Sequence, residues 1–286
     1  MNSPYISYSD TQSFYQGEES LPLIIVNSPL CRAVISSYGG QILEFQAKDK
    51  QPLLWLSKKA IFKSGKAIRG GIPVCAPWFG NHLNHKLSHG FARTSMWHEE
   101  SIITAEDDKV TITLVLSENE LSQQYNYHDF AIKLIIELSD ELNINFVFEN
   151  RSGKSLECEW ALHSYFAVND VEEISVDGLD GQHYLDKTKE NALAVLEGVQ
   201  KFTKEVDRAF VTATQTQQIN TTTPAIINGD NCPSAIVWNP GKELASQMAD
   251  VCEYRNFVCV ERGAISDNRW QIAPNESFSA SMRISY

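Results

Sequence analysis

Apolar and polar residues alternate with period two over much of the chain. Val110, Ile112, Leu114 and Leu116 are interleaved with Thr111, Thr113 and Ser117, the signature of a strand with one buried face. Phe130, Ile132, Leu134, Ile136 and Leu138 repeat it, and Leu142, Ile144, Phe146 and Phe148 follow the Ser139-Asp140-Glu141 turn, which predicts a hairpin. Phe278, Ala280, Met282 and Ile284 alternate with Ser277, Ser279, Ser281 and Arg283. After a polar lead-in over 1–20, shorter apolar runs at 23–26, 30–36, 41–46 and 51–56 predict an antiparallel meander, and 235–238 and 257–260 predict two compact buried strands. Helix is confined to one turn at 118–124 and a short helix after Pro240-Gly241 at 242–250.

The stretch 157–168 predicts one strand with two characters. Cys158, Trp160, Leu162, Phe166 and Val168 share a core face, whereas Glu159, His163 and Tyr165 project from the other. Many short strands, no fixed-length repeat and no Ser/Gly-rich linker predict an all-β fold, a large antiparallel β-sandwich with a few short helices in a single domain over 1–286. Neither GxGxxG nor GxxxxGK[ST] occurs, so dinucleotide-binding and P-loop readings fail.

Charge narrows the partners. With 24 Lys+Arg against 36 Asp+Glu the net charge is −12, the wrong sign for a nucleic-acid binder, which needs a basic face. The six cysteines are scattered without CxxC spacing, several inside apolar runs, and read as reduced thiols of a cytoplasmic protein. The first residues have neither the basic nor the apolar part of a signal peptide, and no apolar run approaches the ~20 residues of a membrane-spanning helix.

One segment departs from every strand pattern. Residues 68–93, IRGGIPVCAPWFGNHLNHKLSHGFAR, combine two arginines, a Gly-Gly pair, two prolines and three histidines. Glycine lets backbone approach a ligand, proline fixes loop shape, and the planar forks of Arg69 and Arg93 suit an oxyanion. Surface exposure is the ordinary fate of such arginines. His82, His85 and His89 invite a metal reading, but the glycines and asparagines among them argue against the helix that would make them converge, and metal is not expected here. His89 differs in opening the HGFAR sequence. Trp78 and Phe79 offer a sugar-stacking face or core packing. Glu261 closes an apolar run just before Gly263, either as a strand-end carboxylate paired with Arg262 or as a group held rigidly for chemistry. His163 reads as a strand histidine satisfied by neighbouring backbone, against which its polar-face position weighs modestly, and Asp207 as a turn or salt-bridge residue with Arg208.

Taken together, AIRGGIPVCAPWFG, HGFAR followed by Trp97, WALHSYFAV, EVDRAF, IVWNP and FVCVERG resemble the galactose mutarotase superfamily, specifically its hexose-6-phosphate mutarotases. The ordered set covers most of the chain from about Arg69 onward. The resemblance implies a sandwich whose concave sheet face holds the sugar and interconverts the α and β anomers of a hexose 6-phosphate, without metal or organic cofactor. It implies His163 and Glu261 as the catalytic pair, Arg69 and Arg93 as phosphate ligands, and Asp207 on sugar hydroxyls, with His89 as a further contact. Ser88 stands where some relatives place a glutamine before HG, which bears on substrate preference. The implied partner is a small phosphorylated hexose, with no nucleic acid and no membrane, and the protein a monomer or weak homo-oligomer.

Those residue types fit the reaction. Opening a pyranose removes the proton of the anomeric hydroxyl and delivers one to the ring oxygen, so an acid and a base must flank C1. Glu261 as carboxylate takes the hydroxyl proton and His163 as imidazolium protonates the ring oxygen. Rotation about C1–C2 and reclosure give the other anomer. A free histidine is mostly neutral at pH 7, so a negative charge, from Glu261 or the substrate, must keep His163 protonated. A noncatalytic sugar-phosphate sensor on the same sandwich is the alternative reading; a two-carboxylate glycosidase lacks a second carboxylate as well placed as Glu261.

Overall fold

A computed structural model describes residues 3–81 and 87–286. His82 and His85 lie outside the described residues. Two large antiparallel sheets form the body. In one, nine strands run in the order Gln200–Lys201, Ser175–Asp177, Thr216–Asn220, Ala225–Asp230, Ser277–Ser285, Leu142–Asn150, Phe130–Leu138, Val110–Ser117 and His98–Thr104. The expected hairpin is its centre, with Phe130 opposite Asn150 and Leu138 opposite Leu142. The other sheet has Val206–Phe210, Ser234–Asn239, Phe257–Ala264 and Trp160–Leu162 side by side. The inner faces of both sheets contribute to one apolar cluster, Leu134, Ile144, Phe146 and Met282 from the first and Trp160, Leu162, Val237, Val258 and Val260 from the second. This is the sandwich core.

The N-terminal region adds a four-stranded meander, Ile6–Asp10, Pro22–Asn27, Cys31–Ser36 and Gln41–Ala47, paired in sequence order. Three expectations change. The lead-in is not featureless: Ile6–Asp10 pairs with Pro22–Asn27 as a polar edge strand. Residues 51–56 form no strand and contribute only the single bridges Leu54 to Phe166 and Leu56 to Gly70. Nor is 157–168 one strand. Leu156–Cys158 pairs with Trp270–Ile272, whereas Trp160–Leu162 and Tyr165–Ala167 pair with Phe257–Ala264, so the chain passes from one sheet to another at Glu159.

Helices are short: Glu120–Gln123 falls within the expected turn at 118–124, whereas Gly241–Ala245 ends well before the expected 242–250 helix does. Among the described residues no helix is long and apolar enough to cross a membrane.

Candidate active site

Alternation along the second sheet decides which residues face outward. Leu162 lies opposite Arg262 and Tyr165 opposite Cys259, and carrying that register through the gap sets His163 across from Glu261. On the next strand Ile236 pairs with Glu261 and Trp238 with Cys259, and beyond it Asp207 pairs with Trp238. Side chains directly opposite in adjacent strands share a face. His163, Glu261, Ile236, Trp238 and Asp207 therefore form one outward-facing patch behind which the core is closed.

Loops wall this patch. The backbone around Arg69 is fastened by Ser57 N donating to Arg69 O (3.1 Å) and Gly71 N donating to Trp55 O (2.8 Å). Gly71 has φ +61, and a Cβ there would sit 2.1 Å from Ile42 O, so only glycine allows this approach. Arg93 comes from the short turn Ala92–Thr94, preceded by Gly90, where a Cβ would meet Ala76 O at 1.8 Å. The result is a cavity of about 350 Å³ lined by Arg69, Phe79, Ser88, His89, Arg93, His163, Lys187, Asp207, Ile236, Trp238 and Glu261. His163, Glu261, Arg69, Arg93, Asp207, His89 and Ser88, the residues expected from sequence for catalysis and substrate contact, all line it, whereas Trp78 does not.

A larger cleft of about 480 Å³ runs past Glu172, Lys204, Asn239 and Arg255. Its Arg255 is already bridged to Asp170 and Glu172, and among the described residues no histidine lines it. His163 and Glu261 both line the smaller cavity.

His163 Nε2 lies 3.4 Å from Glu261 Oε1, with both residues buried, at 7% and 1% exposure. Neither His163 Nδ1 nor Glu261 Oε2 has a hydrogen-bond partner among the described residues. Glu261 is not paired with Arg262. That arginine points into the core on the opposite face, donating to Thr214 O (2.8 Å), Gln217 Oε1 (2.6 Å) and Cys232 O.

Burial, followed by the charges of Arg93 and Arg69, holds the His163 pKa well below its usual value. Burial pushes the Glu261 pKa well up, opposed by Lys187 and Arg93 and reinforced by Asp207. The pocket's own groups thus favour a neutral imidazole beside a neutral carboxyl, and the proximity of Glu261 alone does not meet the demand for a protonated His163.

The remaining groups are held individually. Arg69 Nε donates to Asp250 Oδ2 (3.0 Å) and its Nη1 to the Tyr165 hydroxyl (2.9 Å). Burial opposes the Arg69 charge, and these two oxygens more than offset it. Arg93 Nη2 donates to Ser88 O (2.7 Å) and its Nε has no partner among the described residues. His89 has φ +62, and its Nδ1 accepts from Gly80 N at 3.3 Å. Burial and then Arg93 lower its pKa, which leaves a neutral ring whose proton sits on Nε2. Phe79 packs edge-on to His89 at 4.8 Å, and its N–H donates to Glu159 Oε2 (3.1 Å), whose other oxygen accepts from Ser266 N (2.7 Å). Glu159 is therefore a loop anchor outside the pocket. Trp78 is buried in the core and donates to Leu87 O. Asp207 is raised by burial, with Lys187 opposing; it is a strand residue, not a turn residue, and Arg208 lies over the Tyr184 ring instead.

Sequence reasoning missed Lys187, whose Nζ sits 4.5 Å from the Phe79 ring centre, and Asp250. Lys187 lies in a short polar turn, Lys187–Lys189, with no glycine or aromatic signature beside it. Among the described residues no group of three or more His, Cys, Asp or Glu side chains is placed to hold a metal ion.

A family model described as aldose 1-epimerase matches residues 22–285. An Escherichia coli (strain K12) protein named as a candidate glucose-6-phosphate 1-epimerase is 32% identical over 265 residues, covering 88% of this chain and 86% of its own. A Cenchrus ciliaris protein of the same name is 34% identical, covering 82% and 75%. The crystal structure of a candidate mutarotase (YeaD) from Salmonella typhimurium superimposes with a TM-score of 0.90 at 28% identity, covering 100% of this chain and 94% of its own. The chain belongs to the aldose 1-epimerase family. It is an isomerase with the galactose mutarotase-like fold, and its chemistry is anomer interconversion at C1 of an aldose.

Proposed function

We propose that the substrate is a hexose 6-phosphate, glucose 6-phosphate first among them, and that Glu261 and His163 open and reclose its ring. The observation that carries this reading is the 3.4 Å approach of His163 Nε2 to Glu261 Oε1 in a cavity that also presents Arg69, Arg93 and Lys187. Three cations around one buried acid/base pair suit a dianionic substrate.

The phosphate does more than anchor. Bound by Arg69 and Arg93, it offsets the charges that lower the His163 pKa and returns the ring to the protonated form the reaction needs. Glu261, as carboxylate, then takes the anomeric proton while His163 delivers one to the ring oxygen, and the roles reverse on reclosure. Asp207, the His89 Nε2–H and Ser88 would meet sugar hydroxyls, and Trp238 and Phe79 would face the apolar side of the ring.

We read the chain as one catalytic domain acting in the cytoplasm without a resident cofactor or nucleic-acid partner, as a monomer or weak homo-oligomer. Its six cysteines, all free, support the reducing compartment. Comparing anomer exchange of glucose 6-phosphate with that of free glucose and galactose tests the substrate. Faster exchange of the phosphorylated sugar is expected; equal rates contradict the phosphate assignment. Binding without acceleration would identify a sensor instead.

A further inference from the structure

The orientation of a working histidine is ordinarily fixed by a hydrogen bond from its second ring nitrogen. His163 lacks that bond, since its buried Nδ1 has no partner among the described residues. What holds the ring is aromatic. Tyr165 lies parallel to it at 4.8 Å and 6° between planes, while Trp238 meets it edge-on at 5.9 Å. Tyr165 is itself immobilised, 2% exposed and packed against Trp55 at 5.9 Å and Phe257 at 5.3 Å. Its N–H donates to Gly71 O and its carbonyl accepts from Trp55 N, both at 2.9 Å.

The far end of the same side chain has a second task. The Tyr165 hydroxyl accepts from Arg69 Nη1 at 2.9 Å, and Asp250 takes Arg69 Nε at 3.0 Å. Two of the five guanidinium donors are thus spent on holding the plane, and the rest of the fork remains for an anion.

We propose that Tyr165 is a positioning residue that orients the catalytic imidazole with its ring face and the phosphate-facing guanidinium with its hydroxyl, so that one rigid side chain sets the spacing between the two ends of the substrate. This rests on the reading of His163 and Arg69 given above. The two functions are separable by chemistry, because Tyr165→Phe removes only the hydroxyl and Tyr165→Leu removes the stacking ring as well.

Steady-state anomer exchange on glucose 6-phosphate and on free glucose tests this. For Tyr165→Phe the ratio of kcat/KM for the phosphorylated sugar to that for the free sugar should fall roughly 10-fold, mostly through KM, as expected for a lost hydrogen bond to a charged group. For Tyr165→Leu kcat should fall at least about 10-fold on both sugars, with a displaced pH profile, as expected when the acid loses its alignment. A Tyr165→Phe enzyme whose selectivity ratio equals the wild type's overturns the inference while leaving the reaction assignment intact. If Tyr165→Leu does not fold, that ratio alone decides. A wild-type protein that exchanges neither sugar overturns the reaction assignment and this inference with it.

Discussion

His163 and Glu261 face each other across adjacent strand segments, Nε2 to Oε1 at 3.4 Å, and each keeps its other polar atom without a partner among the described residues. A buried pair built for stability would have those atoms satisfied, because an unmet buried polar group costs about 1–3 kcal/mol. A pair that must exchange protons with a third molecule leaves capacity unused.

His163→Ala and Glu261→Gln should each lower anomer exchange of glucose 6-phosphate by roughly 10²–10⁴-fold. Since the two act as one unit, the double variant should be only slightly worse than either single one. Exchange rates of the three variants check this, and fully multiplicative losses would contradict the paired role.

Arg69→Ala and Arg93→Ala should act mainly on the phosphorylated substrate, raising its KM by about 10–100-fold with a smaller change on a free hexose. Parallel kinetics on both sugars provide the comparison. In Arg93→Ala one of the charges that lowers the His163 pKa is also gone, so the acid limb of the free-enzyme pH profile should move to higher pH.

Much of this was legible before any fold was known, for identifiable reasons. The hairpin Phe130–Leu138 with Leu142–Asn150 keeps a strict two-residue period because one face is core. Glu261 stood out as a carboxylate ending an apolar run, and the motif order tied it to His163, Arg69, Arg93 and Asp207. Lys187 and Asp250 were invisible because each is delivered by a short polar connection whose sequence carries no period, and its neighbours are chosen only by tertiary folding. The break at Glu159 escaped notice because a strand that changes sheets keeps its alternation; the polar edge strand Ile6–Asp10 has little apolar signal to read.

Stability should respond to the site in a pH-dependent way. Burial raises the Glu261 pKa well above 4.5. A raised carboxyl favours the native state while protonated, and that contribution is lost as pH rises from the ordinary carboxyl range through the raised value. Glu261→Gln removes the titration, so its Tm advantage over the wild type should grow from pH 4.5 towards neutrality. Thermal melts at stepped pH check the sign. An advantage that shrinks with rising pH would contradict the burial argument.

Gly90 positions His89 and Arg93 by passing where no side chain fits. A Cβ there would meet Ala76 O at 1.8 Å, at φ +73. Gly90→Ala should cost about 1–3 kcal/mol or more in denaturant unfolding and reduce activity further than the stability loss explains. An alanine variant of native stability and activity would show that this approach is not required.

The most direct measurement is exchange NMR between the α and β anomers of glucose 6-phosphate with catalytic amounts of the wild-type protein and of the His163→Ala and Glu261→Gln variants. Magnetisation transfer well above the spontaneous rate, present for the wild type and close to background for both variants, is the expected result. Exchange in both variants as fast as in the wild type would contradict the assignment of the reaction to this pair.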